Sequence, residues 1–194
     1  MAERDTFIRS LHDLGMAAWF GGSLMGAVGV NGAAGAAKDP SERLRLSSIG
    51  WAKWVPVQVA AVGIHAVGGV GLMLSNRKRL GKQPGAGSAT AVKLVLTGLA
   101  AGVTAYSGVL GAKVAKHADE GAAGATEPGP TSSRELASAQ KQLKACQWAI
   151  PALTSTLIVL GAVEGEQQRG VSGLLDLGAD EALHGVKQAI RKVL

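Results

Sequence analysis

The sequence predicts an all-α, polytopic membrane protein: four transmembrane helices followed by a C-terminal amphipathic helix. Three observations carry that expectation. Hydrophobic residues make up 47% of the chain and charged residues only 18%, where a soluble domain carries roughly 25% charged residues. The charges gather at 3–13, 38–53, 77–82, 113–144 and 164–192, leaving four long intervals almost free of them. Each interval is long enough to lodge in a hydrocarbon core as a helix.

The first interval, about 14–37, is rich in Gly and Ala. About 24 residues at 1.5 Å rise cover roughly 36 Å, against a core of ~30 Å. A cleaved signal peptide is the rival, with Arg4 and Arg9 as its basic start and Ala34, Gly35 and Ala36 as a small-residue cleavage site. Glu3, Asp5 and Asp13 dilute that start, and the apolar stretch is long and glycine-broken, which favours a retained span.

Asp39, Pro40 and Glu42 form a helix start, with Asp39 as cap and Pro40 at the first helical position. A short interfacial helix then carries Trp51 and Trp54 to the headgroup level. Pro56 falls in the first turn of the second span, about 55–74, where its missing amide does no harm. Arg77, Lys78, Arg79 and Lys82 make the densest basic cluster, and a Pro/Gly/Ser turn follows from Pro84 to Ser88. The third span covers about 91–112, with Lys93 at its edge snorkelling to the interface.

The stretch 117–133 has neither periodicity nor large apolar residues and reads as a mobile linker. Ser132 with Glu135 makes a capping-box start for a helix that enters the fourth span, about 146–163. The bundle thus occupies 1–166. In the tail, 167–194, Leu175, Ala179, Ala182, Val186 and Ile190 recur at helical spacing, with acids early and bases late. That is an amphipathic helix suited to the bilayer surface or to the bundle's flank.

With four spans, the amino terminus, the 75–90 loop and the tail share one side. That side holds eleven basic residues against nine on the other. The compact Arg77–Lys82 cluster tips the orientation toward both termini in the cytoplasm, because positive charge in short loops near a span matters most. The expected location is a bacterial plasma (inner) membrane. Trp54 and Trp148 then fall at one outer interface.

The net charge of +6 does not imply a nucleic-acid partner, since the basic residues flank apolar segments instead of clustering on one face. The single cysteine, Cys146, excludes an internal disulfide and a cysteine-based metal cluster. No Asp or Glu lies inside any span, which argues against proton-coupled transport. The sequence carries no phosphate loop, nucleophile elbow or catalytic carboxylate pair, so the expectation is a non-enzyme without a cofactor.

Two sets of residues remain as candidates. His12, Gly15, Trp19, Gly22, Gly26 and Gly29 follow at steps of three and four and share one helix face. Gly98 and Gly102 repeat the small-xxx-small pattern in the third span, as do Gly161 and Gly165 at the end of the fourth. Such faces pack helices within a bundle or between copies in a homo-oligomer. The second set is polar. His65, near the middle of span two, shares a face with Gln58, while Thr97 and Thr104 line span three. An intramembrane histidine is a site hypothesis by default, and the bland alternative is an imidazole hydrogen-bonded inside the bundle.

A haem or copper role for His65 fits the spacing poorly, because His12 lies near the bilayer edge and His65 near mid-depth. Met16, Met25 and Met73 share no tight spacing with His65 either. Thr154, Ser155 and Thr156 are placed to satisfy the carbonyl freed by Pro151.

His12, Gly15, Trp19, Gly21 and Gly22 resemble the opening helix of small four-helix bacterial membrane proteins, including the copper-resistance-protein-D-like group. The likeness covers about 20 residues. It implies an all-helical bundle. Copper handling, found in some members, is not implied, because their further histidine and methionine pattern is not evident here. Three functions therefore stand as expectations: a packing, accessory or oligomer-forming membrane component, a solute or metal carrier with an interior site at His65, and a haem protein.

Overall fold

The computed structural model describes residues 6–75, 77 and 86–193, without the side chains of 86–88, 164 and 166–193. Helix α1 covers Thr6–Met25, a π-helical turn covers Gly26–Val30, and α2 continues the same rod over Asn31–Gly35. Helix α3 is Pro40–Ser75, α4 is Ala86–Lys116, a 3-10 turn occupies Ala118–Glu120, and α5 is Arg134–Val193. All regular structure among the described residues is helical. Lys78, Arg79, Lys82 and Pro84 lie outside the described residues, as do the side chains that would make the tail amphipathic.

Three helices are long and apolar enough to cross a membrane: Pro40–Ser75, Ala89–Lys116 and Arg134–Val163. They turn apolar side chains outward, among them Val59, Val67 and Leu74 on α3, Val95 and Val109 on α4, and Val159 on α5. A surface of this kind needs lipid as its solvent.

The chain divides into two compact units, Met1–Leu157 and Ile158–Leu194. The division falls inside α5, whereas the sequence suggested a break after residue 166. In the first unit two buried clusters stack along the bundle. One gathers Met16, Trp19, Ala61, Ala100, Ile150 and Leu157, one or two residues from each of α1, α3, α4 and α5. The other gathers Leu44, Leu110, Val114, Leu136, Ala139 and Leu143 toward the end where α3 begins and α4 stops. The second unit is helical through Val193, and its Val159 and Val163 are exposed.

Local chemistry explains most helix boundaries. The Asp39 carboxylate accepts the Ser41 amide and the Ser41 hydroxyl, both at 2.8 Å, and Pro40 opens α3 as expected. Those two bonds hold the Asp39 carboxyl below its ordinary value. The helix does not break before the span: interfacial stretch and span are one helix, and Pro56 sits in its interior and not in a first turn. It lies on the exposed face of the helix. Helix α5 starts one residue later than the predicted capping box. Ser133, not Ser132, caps it, its hydroxyl accepting the Leu136 amide at 3.2 Å. Pro151 also lies within a helix, and Thr154 donates to the Ile150 carbonyl at 2.8 Å. Ser155 and Thr156 donate to Ala152, so these hydroxyls do not serve the Gln147 carbonyl that Pro151 frees.

The segment 117–133 corrects the linker expectation. Gly121, Ala122, Gly124, Ala125 and Thr126 are buried. The fully buried Gln140 amide donates to the Gly124 and Ala125 carbonyls at 3.0 and 3.2 Å. The Ala122 amide donates to the Pro40 carbonyl at 3.2 Å. Arg43 ties the two turns at this end together, donating to the Ala37 carbonyl at 2.8 Å, to Ala122 at 3.3 Å and to Ala123 at 3.1 Å. Glu120 closes the neck of the loop by accepting the Ser133 amide at 2.7 Å and its hydroxyl at 3.1 Å. The lack of large side chains, which looked like a sign of mobility, is what lets this backbone lie flat on the helices.

Candidate functional site

Four buried polar residues, Ser23, Ser47, Gln58 and His65, lie along a seam between α1–α2 and α3. Helices approach closely only where side chains are small, and the glycines set the approach. A Cβ at Gly15 would lie 2.6 Å from both the Ala61 carbonyl oxygen and the His65 amide nitrogen, and one at Gly68 would lie 2.6 Å from the His12 amide nitrogen. At Gly22 and Gly26 a Cβ would overlap the rings of Trp54 and Trp51. The two tryptophans expected at the headgroups are thus folded onto glycines of the neighbouring helix. Trp148 is the exposed one, at 51%.

Within this approach His12 and His65 stack, ring centroids 3.9 Å apart and planes inclined by 24°. Each ring donates from Nδ1 to the other residue's backbone carbonyl, at 2.9 Å from His12 and 3.0 Å from His65. A carbonyl only accepts, so Nδ1 of each imidazole carries a proton. The Trp19 and His65 rings meet at an edge-type angle of 63° with centroids 6.2 Å apart, and the Trp19 Nε1 donates to the Thr104 hydroxyl at 3.1 Å. That hydroxyl in turn donates to the Ala100 carbonyl at 2.8 Å. The buried Gln58 amide donates to the buried Ser23 hydroxyl at 3.3 Å. Further along, Asn31 accepts from Ser47 and Trp51 and donates to Gln147 at 2.7 Å.

These groups do not converge on one point. His65 and Gln58 are seven residues apart on α3, about 10 Å of rise, and each is matched by its own partner on α1. Thr104 belongs with Trp19, and Thr97 is half-buried on α4. Gly15, Trp19, Gly22 and Gly26 line the α1–α3 seam. Gly29 leaves that face because the π turn intervenes, and a Cβ there would meet only Met25 of its own rod. Gly98 and Gly102 do not pack inside the bundle: both are exposed, with nothing within 4 Å of a Cβ. Gly161 and Gly165 are equally open.

One expectation is corrected outright. The sequence put His12 near the bilayer edge and His65 at mid-depth, but the structure stacks them at one level. Their relative height depends on the register that Gly15 and Gly68 impose, which hydropathy does not contain. Stacking still argues against a shared metal. A ligand lone pair lies in the ring plane, and planes 24° apart with centres at 3.9 Å do not meet at a ligand distance of about 2.1 Å from both nitrogens. Among the described residues no three His, Cys, Asp or Glu side chains are grouped to hold an ion.

Asn31 escaped the sequence reading. Its signal was available: one amide side chain in a 24-residue stretch otherwise free of Asn, Gln and charge. Comparison of the chain with protein-family models, with curated proteins and with solved structures returns no match.

Proposed function

We propose that this chain is a non-enzymatic, four-span bundle of a bacterial plasma membrane, acting through helix packing as an accessory or oligomer-forming component. One observation carries the proposal. Most polar side chains of the interior are used within the protein: His12 and His65 on each other's backbone carbonyls, Trp19 on Thr104, Gln58 on Ser23 and Asn31 on Gln147, whereas two buried atoms, Trp54 Nε1 over Gly22 and Gln140 Oε1 beside Gly124, have no partner among the described residues. A binding site keeps polar groups in reserve for its ligand; a packing core closes them in pairs.

The remaining span, the first one expected over about 14–37, belongs to the rod that runs from 6 to 35. It lies along α3 from the contact of Ile8 with Gly71 to that of Val30 with Gly50, about 33 Å of helix rise. Its outward positions include Leu14, Met25 and Val28, all exposed and apolar. Gly15, Gly22 and Gly26 of this rod face α3 in the seam, while Gly21 and Gly32 are open and Arg9 and Asp13 are exposed near its start, which together make its overall hydropathy weak. Four spans put both termini on one side, and the basic cluster that starts at Arg77 favours the cytoplasm for that side.

A second reading keeps an interior site at His65, because tying Nδ1 to a carbonyl is also how proteins orient a metal-binding imidazole. One experiment separates the two. The full chain is purified in detergent, and mass, colour and metal content are read on the same sample, for the native protein and for His65→Leu. Packing as the function predicts no Soret band and no stoichiometric metal in either. A band or a metal equivalent that disappears in His65→Leu replaces the packing reading with the site reading.

A further inference from the structure

The rod of α1 and α2 is interrupted once, by the π turn Gly26–Val30. The Asn31 amide closes that turn by donating to Gly26, five residues back, and to Val28. Turns of this kind are rare, are mostly single-turn bulges in α-helices, and are frequent at functional sites. In a regular α-helix residues 26 and 31 would point about 140° apart around the axis, and residues four apart only about 40°. The π turn lets an interval of five residues present one face.

That face is held from outside. The Trp51 ring lies against Gly26, where a Cβ would overlap it, and the Trp51 Nε1 donates to the Asn31 side-chain oxygen at 2.9 Å. One side chain of α3 therefore grips both ends of the turn. Ser47 of α3 donates to the same oxygen at 3.2 Å, and the Asn31 amide donates to buried Gln147 of α5 at 2.7 Å. Before the turn, α1 is fixed by a different set of contacts, Gly15 on Ala61 and His65 and Gly22 on Trp54.

We infer that Gly26–Val30 is a register joint, a conformational device in which one extra residue is kept in the rod by the grip of α3 and α5 on Asn31. Loss of that grip returns the turn to α geometry. Residues 31–35 then rotate by about 100°, one residue's worth, while 6–25 stays seated on α3. The joint links α5, through Gln147, to the turn at 36–39, which the Arg43 side chain ties to the loop of 117–133.

The test is amide hydrogen exchange on the full chain in detergent, followed across 12–22 and 30–37. Asn31→Leu removes the grip, and protection is expected to be lost over 30–37 and kept over 12–22. Deleting Gly29 removes the extra residue and leaves Gly26 and Asn31 four apart in a regular helix. That variant is expected to fold with protection over 30–37 at least equal to the native chain. Deleting Ala18 instead shifts Gly22, Gly26 and Asn31 off their face and is expected to abolish protection throughout. The deciding variant is Asn31→Leu placed in the Gly29 deletion, where no extra residue remains to relax and protection over 30–37 is expected to persist. If Asn31→Leu costs the same protection in both backgrounds, or if the Gly29 deletion behaves like the Ala18 deletion, there is no joint and the proposal is overturned.

Discussion

The rod of α1 and α2 and the helix α4 both carry glycines four residues apart, and the structure treats them in opposite ways. Gly22 and Gly26 lie under the rings of Trp54 and Trp51, while a Cβ at Gly98 or Gly102 meets nothing within 4 Å. The helix opposite makes the difference. Helix α3 presents two tryptophans, a glutamine and a histidine to α1, groups that reward a close approach with ring contact and hydrogen bonds in a solvent that offers neither. The outer face of α4 has no such partner among the described residues. A small-xxx-small pattern thus permits close packing without specifying it.

Substitutions can break this contrast or sharpen it. The largest effect is expected at Gly15. A methyl there lies 2.6 Å from the Ala61 carbonyl oxygen and the His65 amide nitrogen, main-chain atoms that cannot move aside, so Gly15→Ala is expected to cost about 3 kcal/mol. Thermal unfolding in detergent would measure it, and an unchanged midpoint would mean that the seam is looser than described. Next comes Arg43→Ala, which removes the bonds to Ala37, Ala122 and Ala123. Charge-assisted bonds to carbonyls at a half-exposed site suggest about 2 kcal/mol, seen as faster proteolysis of the 117–133 loop.

A smaller effect belongs to Trp19 and Thr104. A double-mutant cycle with Trp19→Phe and Thr104→Val is expected to give a coupling of about 0.6 kcal/mol and no more than about 1.7, the range for hydrogen bonds between membrane helices. Glu120 gives a pH dependence. The Ser133 amide, then the Ser133 hydroxyl, hold its carboxyl below the ordinary value. A group depressed in the folded state stabilises above the unfolded value and loses that contribution as pH falls through the folded one. The loop neck is therefore expected to open in acid below about pH 4.5, read as exchange at the Ser133 amide, with Glu120→Gln flattening the response. Least of all, Gly98→Ala is expected to shift stability by less than about 0.5 kcal/mol. A large loss there would erase the contrast between the two helices.

Much of the fold was legible. The Asp39–Pro40 start was correct because a cap is a local matter, settled by a carboxylate and the amides beside it. The 117–133 segment was misread because absence of large side chains was taken as absence of packing, although Gln140 and Arg43 supply the donors that hold it. For the candidate site, the faces of His65 with Gln58 and of Gly15 with Trp19 came directly from helical spacing. Their pairing across helices did not. Asn31 was missed because a period of 3.6 residues describes an α-helix, and the π turn before it lies outside that period.

The sequence alone determined which stretches are helical and apolar, since the distribution of charge along the chain is enough to separate lipid from water as solvent. It also determined which residues share a face, because helical geometry is the same everywhere. The tertiary structure decided what each face meets. That depends on the axial offset of one helix against another, which is fixed by a few contacts between residues far apart in the chain, Gly15 with His65 and Gly68 with His12 among them. A shift of one turn would leave every hydropathy pattern unchanged and pair none of the same atoms.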